Sequence, residues 1–312
     1  MKKIAFVFPG QGSQSVGMLD SWSDNQAVVD TVRRASDALG EDLAGLIANG
    51  PAETLNLTTH TQPAMLTAAV AMYQAWIQAG GAVPDCVAGH SLGEYAALTV
   101  AQSLQLEDAV RLVRIRADAM QAAVPVGTGG MAAILGLDDD AVISVCAQAA
   151  QGEVVEAVNF NAPMQVVIAG NKAAVERACE LARAAGAKRA LVLPVSAPFH
   201  ASLLAPAAQT LSAALARIDV KAAQLPVINN VDVGLSDTPD VIRDSLVRQA
   251  WHPVRWVETI RAMKAQGITH VVECGPGKVL TGLTKRIEPD LIGLSITDPA
   301  SMQAALAALS EN

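Results

Sequence analysis

Apolar residues fall along this chain in short unbroken blocks that alternate with longer, alanine-rich stretches of helical periodicity. Ile4-Ala5-Phe6-Val7-Phe8 is the first block, and Pro9-Gly10 closes it. A block that short, apolar at every position and bounded by turn residues, predicts a strand buried on both faces. Gln62-Pro63-Ala64-Met65 opens a predicted helix running to about Ala79. Cys86-Val87-Ala88 is a second strand, Glu94 to Ala101 a helix, and Leu106 to Ala123 another. Strands with helices between them predict an α/β fold with a parallel-sheet core, in which ligands gather at the C-terminal ends of the strands. The loop Pro9-Gly10-Gln11-Gly12-Ser13-Gln14 lies at such an end.

From Gly127-Thr128-Gly129-Gly130 the pattern changes. Met131 to Leu137 predicts strand, Asp138 to Ala150 helix, Val154 to Asn159 and Gln165 to Ala169 strands, Lys172 to Ala185 helix, and Ala190 to Val195 strand. This β-α-β-β-α-β order is that of a ferredoxin-like α+β unit. Residues 127–196 are therefore expected to form a small inserted domain. Residues 1–126 and 197–312 would form a large α/β-hydrolase-like domain around it. The glycine run at 127–130 would be its hinge. After His200 a helix is expected from Ala201 to Ile218, with further strands at Leu225 to Asn229 and His270 to Cys274.

Composition sharpens this picture. Apolar residues make up 51% of the 312 positions but aromatics only 3%, so the core must be built from Ala, Val, Leu and Ile. The net charge of −8 argues against a nucleic-acid binder, which needs a positive field. Cys86, Cys146, Cys179 and Cys274 form no metal-ligand or disulfide spacing and look like core residues of a reducing compartment. The apolar run after Met1-Lys2-Lys3 is too short for a signal peptide. No apolar stretch reaches the ~20 residues of a membrane span. A cytoplasmic, soluble chain is expected, and nothing demands an oligomer.

The candidate chemistry lies in Gly89-His90-Ser91-Leu92-Gly93-Glu94-Tyr95. A serine between two glycines, where a strand turns into a helix, is the layout of a nucleophile elbow. Its hydroxyl would project at a helix N-terminus, where free NH groups can stabilise an oxyanion. Serine needs a general base, most often histidine. Of the five histidines, His60, His252 and His270 carry no such signal, and His90, adjacent to the serine, points away from it on such a bend. His200 follows Pro194-Val195-Ser196-Ala197-Pro198-Phe199, a strand end and turn expected on the same sheet edge as the elbow, and is the candidate base. No acid after Ser91 occupies an equally persuasive turn. The helix at 106–123 carries Arg111, Arg114 and Arg116, among which spacing does not choose.

Phe8-Pro9-Gly10-Gln11-Gly12-Ser13-Gln14, the elbow, Arg116, Asn159-Phe160-Asn161-Ala162-Pro163, Ser196-Ala197-Pro198-Phe199-His200, Gln249 and Gly275-Pro276-Gly277-Lys278 together resemble the malonyl-CoA:acyl carrier protein transacylases of bacterial fatty-acid synthesis. The match runs in order over essentially the whole chain. The resemblance implies Ser91 as nucleophile and His200 as base in a dyad, with the histidine oriented by a main-chain carbonyl near Gln249. It implies an oxyanion hole from the backbone NH groups of Gln11 and Leu92, and Arg116 as the ligand of the malonyl carboxylate. Asn161 and Gln249 would line the pocket, and Phe199 would narrow it beside the acyl group. No metal and no cofactor are implied, since coenzyme A arrives as a thioester and phosphopantetheine on the carrier protein. An acidic carrier would dock on local basic residues, for which Lys188, Arg189, Lys278, Lys285 and Arg286 are the candidates. Relatives serving a polyketide synthase or malonate decarboxylase share these motifs. A serine thioesterase or hydrolase is disfavoured by the missing triad acid and by Arg116, and an idle acyl-CoA or carrier-binding module by the pairing of Ser91 with His200.

Overall fold

The structure is a computed structural model that describes residues 2–195 and 197–310. Ser196, the last residue of the expected insertion, lies outside the described residues. β1 (Ile4–Phe8) is followed by α1 (Gln26–Leu39), α2 (Leu43–Asn49), α3 (Ala52–Leu55) and α4 (Thr58–Gln78), then by β2 (Cys86–Gly89), α5 (Gly93–Val100) and α6 (Leu106–Ala123). Next come β3 (Gly129–Leu135), α7 (Asp139–Ala150), β4 (Val155–Ala162), β5 (Gln165–Asn171), α8 (Lys172–Ala184) and β6 (Arg189–Val192). The chain continues through α9 (Ala205–Leu215), β7 (Val227–Ile228), α10 (Pro239–Gln249), α11 (Trp256–Ala265), β8 (His270–Cys274), α12 (Val279–Ile287), β9 (Ile292–Ile296) and α13 (Pro299–Ser310).

β1 is the middle strand of a five-stranded sheet of order β7-β2-β1-β8-β9. All its pairings are parallel. Ile4, Phe6 and Phe8 face a core built with α4, α5 and α6, where Phe6 packs edge-on against Tyr73 at 5.5 Å between centroids. Ala5 and Val7 face a second core with Trp256, Ile260 and Leu283. Helices cover both faces, which is why the strand is apolar at every position.

The second sheet has four antiparallel strands in the order β4-β5-β3-β6, with α7 and α8 packed on one face. Asp138 starts α7 by accepting the Ala141 NH at 2.8 Å. β4 is joined by main chain to the segment that leads into α11, a helix packed on the parallel sheet. Val254 NH donates to Val158 O at 2.8 Å, and Phe160 NH donates to Val254 O at 3.0 Å. This join holds β4, and with it Asn159 and Asn161, beside the parallel sheet.

Several expectations shift. Helix α4 begins at Thr58, not at Gln62, so Pro63 lies inside it. The proline forfeits one helical hydrogen bond, but the turn before it is retained by tertiary burial and by Thr61 Oγ1 donating to Leu55 O at 2.6 Å. Gly129 and Gly130 are the first residues of β3 rather than part of a hinge. The strand before His200 stops at Val192 and pairs antiparallel with β3, so it is not part of the parallel sheet. Beyond β6 the next regular elements are the 3-10 turn Ser202–Leu204 and α9. The helix expected from Ala201 starts only at Ala205, after a 3-10 turn. β7 shrinks to two residues, and β9 was not foreseen.

The glycines of the elbow are explained by crowding. A Cβ on Gly89 would sit 1.8 Å from Gly93 C and 2.2 Å from Glu94 N, and one on Gly93 would sit 2.0 Å from Phe8 O. Every obstructing atom is backbone, so no side-chain adjustment relieves the clash. The positive φ falls instead on Ser91, at 53°. Gly89→Ala is expected to lower stability by about 3 kcal/mol or more, as overpacking against fixed backbone does, measured by urea unfolding. An unchanged midpoint would contradict this packing.

Candidate active site

The C-terminal ends of β1, β2 and β7 deliver the Gln11 loop, Ser91 and Asn230 to one place. Residues 193–199 bring His200, α6 brings Arg116, α10 ends at Gln249, and β4 supplies Asn159 and Asn161. A cavity of about 740 Å³ opens here, lined among others by Gln11, Ser91, Leu92, Arg116, Asn161, Phe199 and His200. The structure thus brings together every predicted site residue, with Gln249 immediately beneath the cavity.

Ser91 Oγ lies 2.7 Å from His200 Nε2, and His200 Nδ1 lies 2.8 Å from Gln249 O. A main-chain carbonyl can only accept, so Nδ1 carries the proton and the Nε2 lone pair faces the serine. That fixes the tautomer a general base needs, with no carboxylate involved. Ser91 and His200 both hold left-handed backbone, with φ of 53° and 68°. Such conformations persist in non-glycine residues only where surrounding bonds enforce them. For Ser91 the enforcing bonds are its NH to Asn230 Oδ1 at 2.7 Å and its carbonyl to Gln249 Nε2 at 2.8 Å. Leu92 caps α5, so its NH is among the first-turn amides that the helix leaves open.

Arg116 is buried, with 2% exposure. Nη1 donates to Gln62 Oε1 at 2.9 Å, while Nη2 donates to Gln249 Oε1 at 3.0 Å and to Ser91 Oγ at 3.2 Å. The guanidinium also lies 5.5 Å from the centroid of the Tyr95 ring. All these partners are neutral, so among the described residues no carboxylate is bonded to this buried positive charge beside the serine. Arg111 and Arg114 turn elsewhere. Arg111 Nε bonds Ala38 O at 2.9 Å, and Arg114 makes a two-pronged pair with Glu41 at 2.6 and 2.7 Å. Helix periodicity settles the choice, because only Arg116 shares the inward face with Leu112, Val113 and Met120.

Burial, reinforced by the Arg116 charge, drives the His200 pKa down to about 3. Burial pushes Glu94 up to about 7 against the opposing pull of its hydrogen bonds from Gln249 and Asn230. His90 Nε2 lies 2.7 Å from Asn161 Oδ1, which leaves the Asn161 amide NH₂ to the cavity. None of the other histidines reaches Ser91, although His252 lies behind His200. His60 is in the first turn of α4, His252 Nδ1 is 3.0 Å from Arg248 O, and His270 Nδ1 is 2.8 Å from Thr269 Oγ1. Gln62, Asn230 and Asn159 were not foreseen as site residues. Asn230 follows a strand at the binding edge, the same positional signal that marked Gln11. Gln62 carried no signal, since its role appears only once α4 and α6 are packed together.

This arrangement is that of a serine acyltransferase, and residues 5–288 match the acyl transferase domain family. The chain is 55% identical over 307 residues to the malonyl CoA-acyl carrier protein transacylase of Escherichia coli K12, covering 98% of this chain and 99% of that one. The chain belongs to the malonyl CoA-acyl carrier protein transacylase family. It superimposes on the acyl-carrier-protein S-malonyltransferase of Burkholderia pseudomallei 1710b with a TM-score of 0.96 at 64% identity, covering 98% of this chain and 99% of that one. It is also similar, at a TM-score of 0.97, 49% identity and 98% and 100% coverage, to a malonyl-transacylase solved in complex with a type II polyketide-synthase acyl-carrier protein.

A histidine held neutral down to about pH 3 leaves the dyad competent well into the acid range. The second-order rate of acyl loading onto the free enzyme is therefore expected to stay level from about pH 7.5 to about pH 5, measured by rapid-quench mass spectrometry. An acid limb near 6.5, the ordinary histidine value, would contradict this.

Proposed function

We propose that this enzyme moves a malonyl group from malonyl-CoA to the phosphopantetheine thiol of acyl carrier protein, through a malonyl ester on Ser91, in fatty-acid synthesis. The observation that carries the malonyl assignment is Arg116, a buried cation bonded only to neutral groups and 3.2 Å from the serine oxygen. A substrate carboxylate on that guanidinium would pair it directly with a charge, which the protein's own Glu94 does only at a distance, and hold the thioester carbonyl over Ser91.

Ser91 Oγ attacks the thioester carbonyl while His200 Nε2 takes its proton. The oxyanion forms toward the backbone NH groups of Gln11 and Leu92. As the intermediate collapses the C–S bond breaks, His200 returns the proton to the departing coenzyme A sulfur, and malonyl-Ser91 remains. The carrier thiol then gives its proton to His200 and attacks the ester carbonyl; the C–Oγ bond breaks and His200 returns the proton to Ser91 Oγ, leaving the malonyl thioester on the carrier. Asn161 and Phe199 line the acyl pocket, Phe199 narrowing it beside the acyl α-carbon, and Gln249 acts from beneath it through Arg116 and His200. The scheme calls for no metal or bound cofactor.

The strand order β4-β5-β3-β6 with two helices on one face supports a ferredoxin-like domain at 127–196. Residues 1–126 and 197–312 make the hydrolase-like domain, and we assign a cytoplasmic monomer. Among the described residues no helix is long and apolar enough to cross a membrane. Lys188, Arg189, Lys278, Lys285 and Arg286 are all exposed and form the surface proposed for the carrier. Arg286 also donates to Gln165 Oε1 and, at 3.1 Å, to Pro163 O, so part of its role is to tie α12 to the β4–β5 turn. The likeness to a transacylase solved with a polyketide-synthase carrier supports the same chemistry with that acceptor as a second reading.

Incubation with malonyl-CoA is expected to add one malonyl group by intact mass, and Ser91→Ala to add none. Arg116→Ala should slow malonyl loading at least ~100-fold while sparing or raising acetyl loading, since removing one member of a buried charge pair strands the other. Unchanged preference would sink the role of Arg116. Raising NaCl to about 0.5 M should lower kcat/KM for the carrier severalfold, and a salt-independent value would remove the basic surface from the proposal.

A further inference from the structure

Glu94 is fully buried, at 0% exposure, and takes no part in the acyl-transfer steps above. A buried carboxylate is expensive to keep unless its bonds are put to use. One of its oxygens, Oε2, accepts two hydrogen bonds at 3.0 Å each, from Gln249 Nε2 and from Asn230 NH. Those two residues hold everything reactive in the site.

Gln249 is engaged at three atoms. Its main-chain oxygen accepts from His200 Nδ1, its Oε1 accepts from Arg116 Nη2, and its Nε2 donates to Ser91 O. The side-chain amide therefore works in only one of its two flipped states. With Oε1 toward Arg116 the guanidinium is bonded. Rotated by half a turn, the NH₂ would face the guanidinium donor to donor. Ser91 O and Glu94 Oε2 are the two acceptors that hold the working state. Asn230 is fixed likewise, its NH on Glu94 while its side chain spans the elbow, Nδ2 donating to Gly89 O and Oδ1 accepting from Ser91 NH, each at 2.7 Å.

We propose that Glu94 is a positioning residue which, as a hydrogen-bond acceptor, sets the orientation of the Gln249 amide and of Asn230, and so aims Arg116 at the acyl group and holds the Ser91 elbow. The acceptor position matters here rather than the charge. The second oxygen, Oε1, has no partner among the described residues, so a proton there leaves Oε2 free to accept. A glutamine can do the same with its carbonyl oxygen. An aspartate keeps the charge but withdraws the acceptor by one methylene. The assignment rests on the acyl-transfer reading and on Arg116 as the malonyl ligand.

The test compares loading of malonyl and acetyl groups, by intact mass and from each coenzyme A thioester, in the parent, Glu94→Gln and Glu94→Asp. The ratio of the two loading rates does not depend on how much of a variant is folded, so a purely structural lesion leaves it unchanged. Glu94→Gln is expected to keep the parent ratio within about threefold, and Glu94→Asp to lower it about tenfold, the usual worth of one buried hydrogen bond. A parent-like ratio in Glu94→Asp, or a ratio lowered as much in Glu94→Gln, overturns the proposal. If Glu94→Asp fails to fold, Glu94→Gln decides alone, because a lost preference there has the same meaning. A parent that forms no malonyl adduct on Ser91 would instead refute the underlying function, which separates the two failures.

Discussion

The left-handed turn at Ser91 is the constraint around which the active site is built. A non-glycine residue at φ 53° opposes its own side chain, and the elbow keeps it there with bonds on both sides, from Asn230 and from Gln249. The turn can be so tight only because Gly89 and Gly93 let the helix start press on the strand ends. Its reward is a hydroxyl raised clear of the sheet, next to the Leu92 NH at the helix start and within reach of a histidine from a distant part of the chain. Gln249 then acts as a hub. Its main chain orients the base, and its side chain connects the nucleophile, the guanidinium and a buried carboxylate.

Under the proposed function, selectivity would fall to Arg116. A buried cation hydrogen-bonded to two amide oxygens and a hydroxyl has only the more distant Glu94 to offset it, and it also lowers the basicity of His200. Both effects favour an anionic acyl group. A substrate carboxylate would relieve the arginine and, by offsetting its charge, return some proton affinity to the base at the moment it is needed. A neutral acyl chain would do neither.

Much of this was legible in the sequence because it is local. The strand blocks at 4–8 and 86–88, the helix at 106–123 and the β-α-β-β-α-β order follow from periodicity over a few residues. The elbow follows from a strand, two glycines and a serine. What the sequence concealed depends on packing at a distance. Pro63 looked like a helix start, yet tertiary burial extends the helix beyond it. The strand before His200 looked like a member of the parallel sheet, yet its partners are β3 and the antiparallel set. β9 lies at a sheet edge with Ile292 and Gly293 exposed, so it shows no unbroken apolar block like those of the inner strands. Gln62 and Asn230 bond to partners 54 and 139 positions away, which no window of sequence contains.

The order in which the chain delivers its reactive groups has a consequence during synthesis. Ser91 emerges 109 residues before His200, and Gln249 follows a further 49 residues later. A nascent chain that has exposed its elbow on the ribosome thus carries an ordinary alcohol, without base, clamp or completed sheet. Reactivity switches on only when the last third of the polypeptide has been made and folded back. The enzyme is thereby protected, by its topology alone, from consuming thioesters as an unfinished molecule.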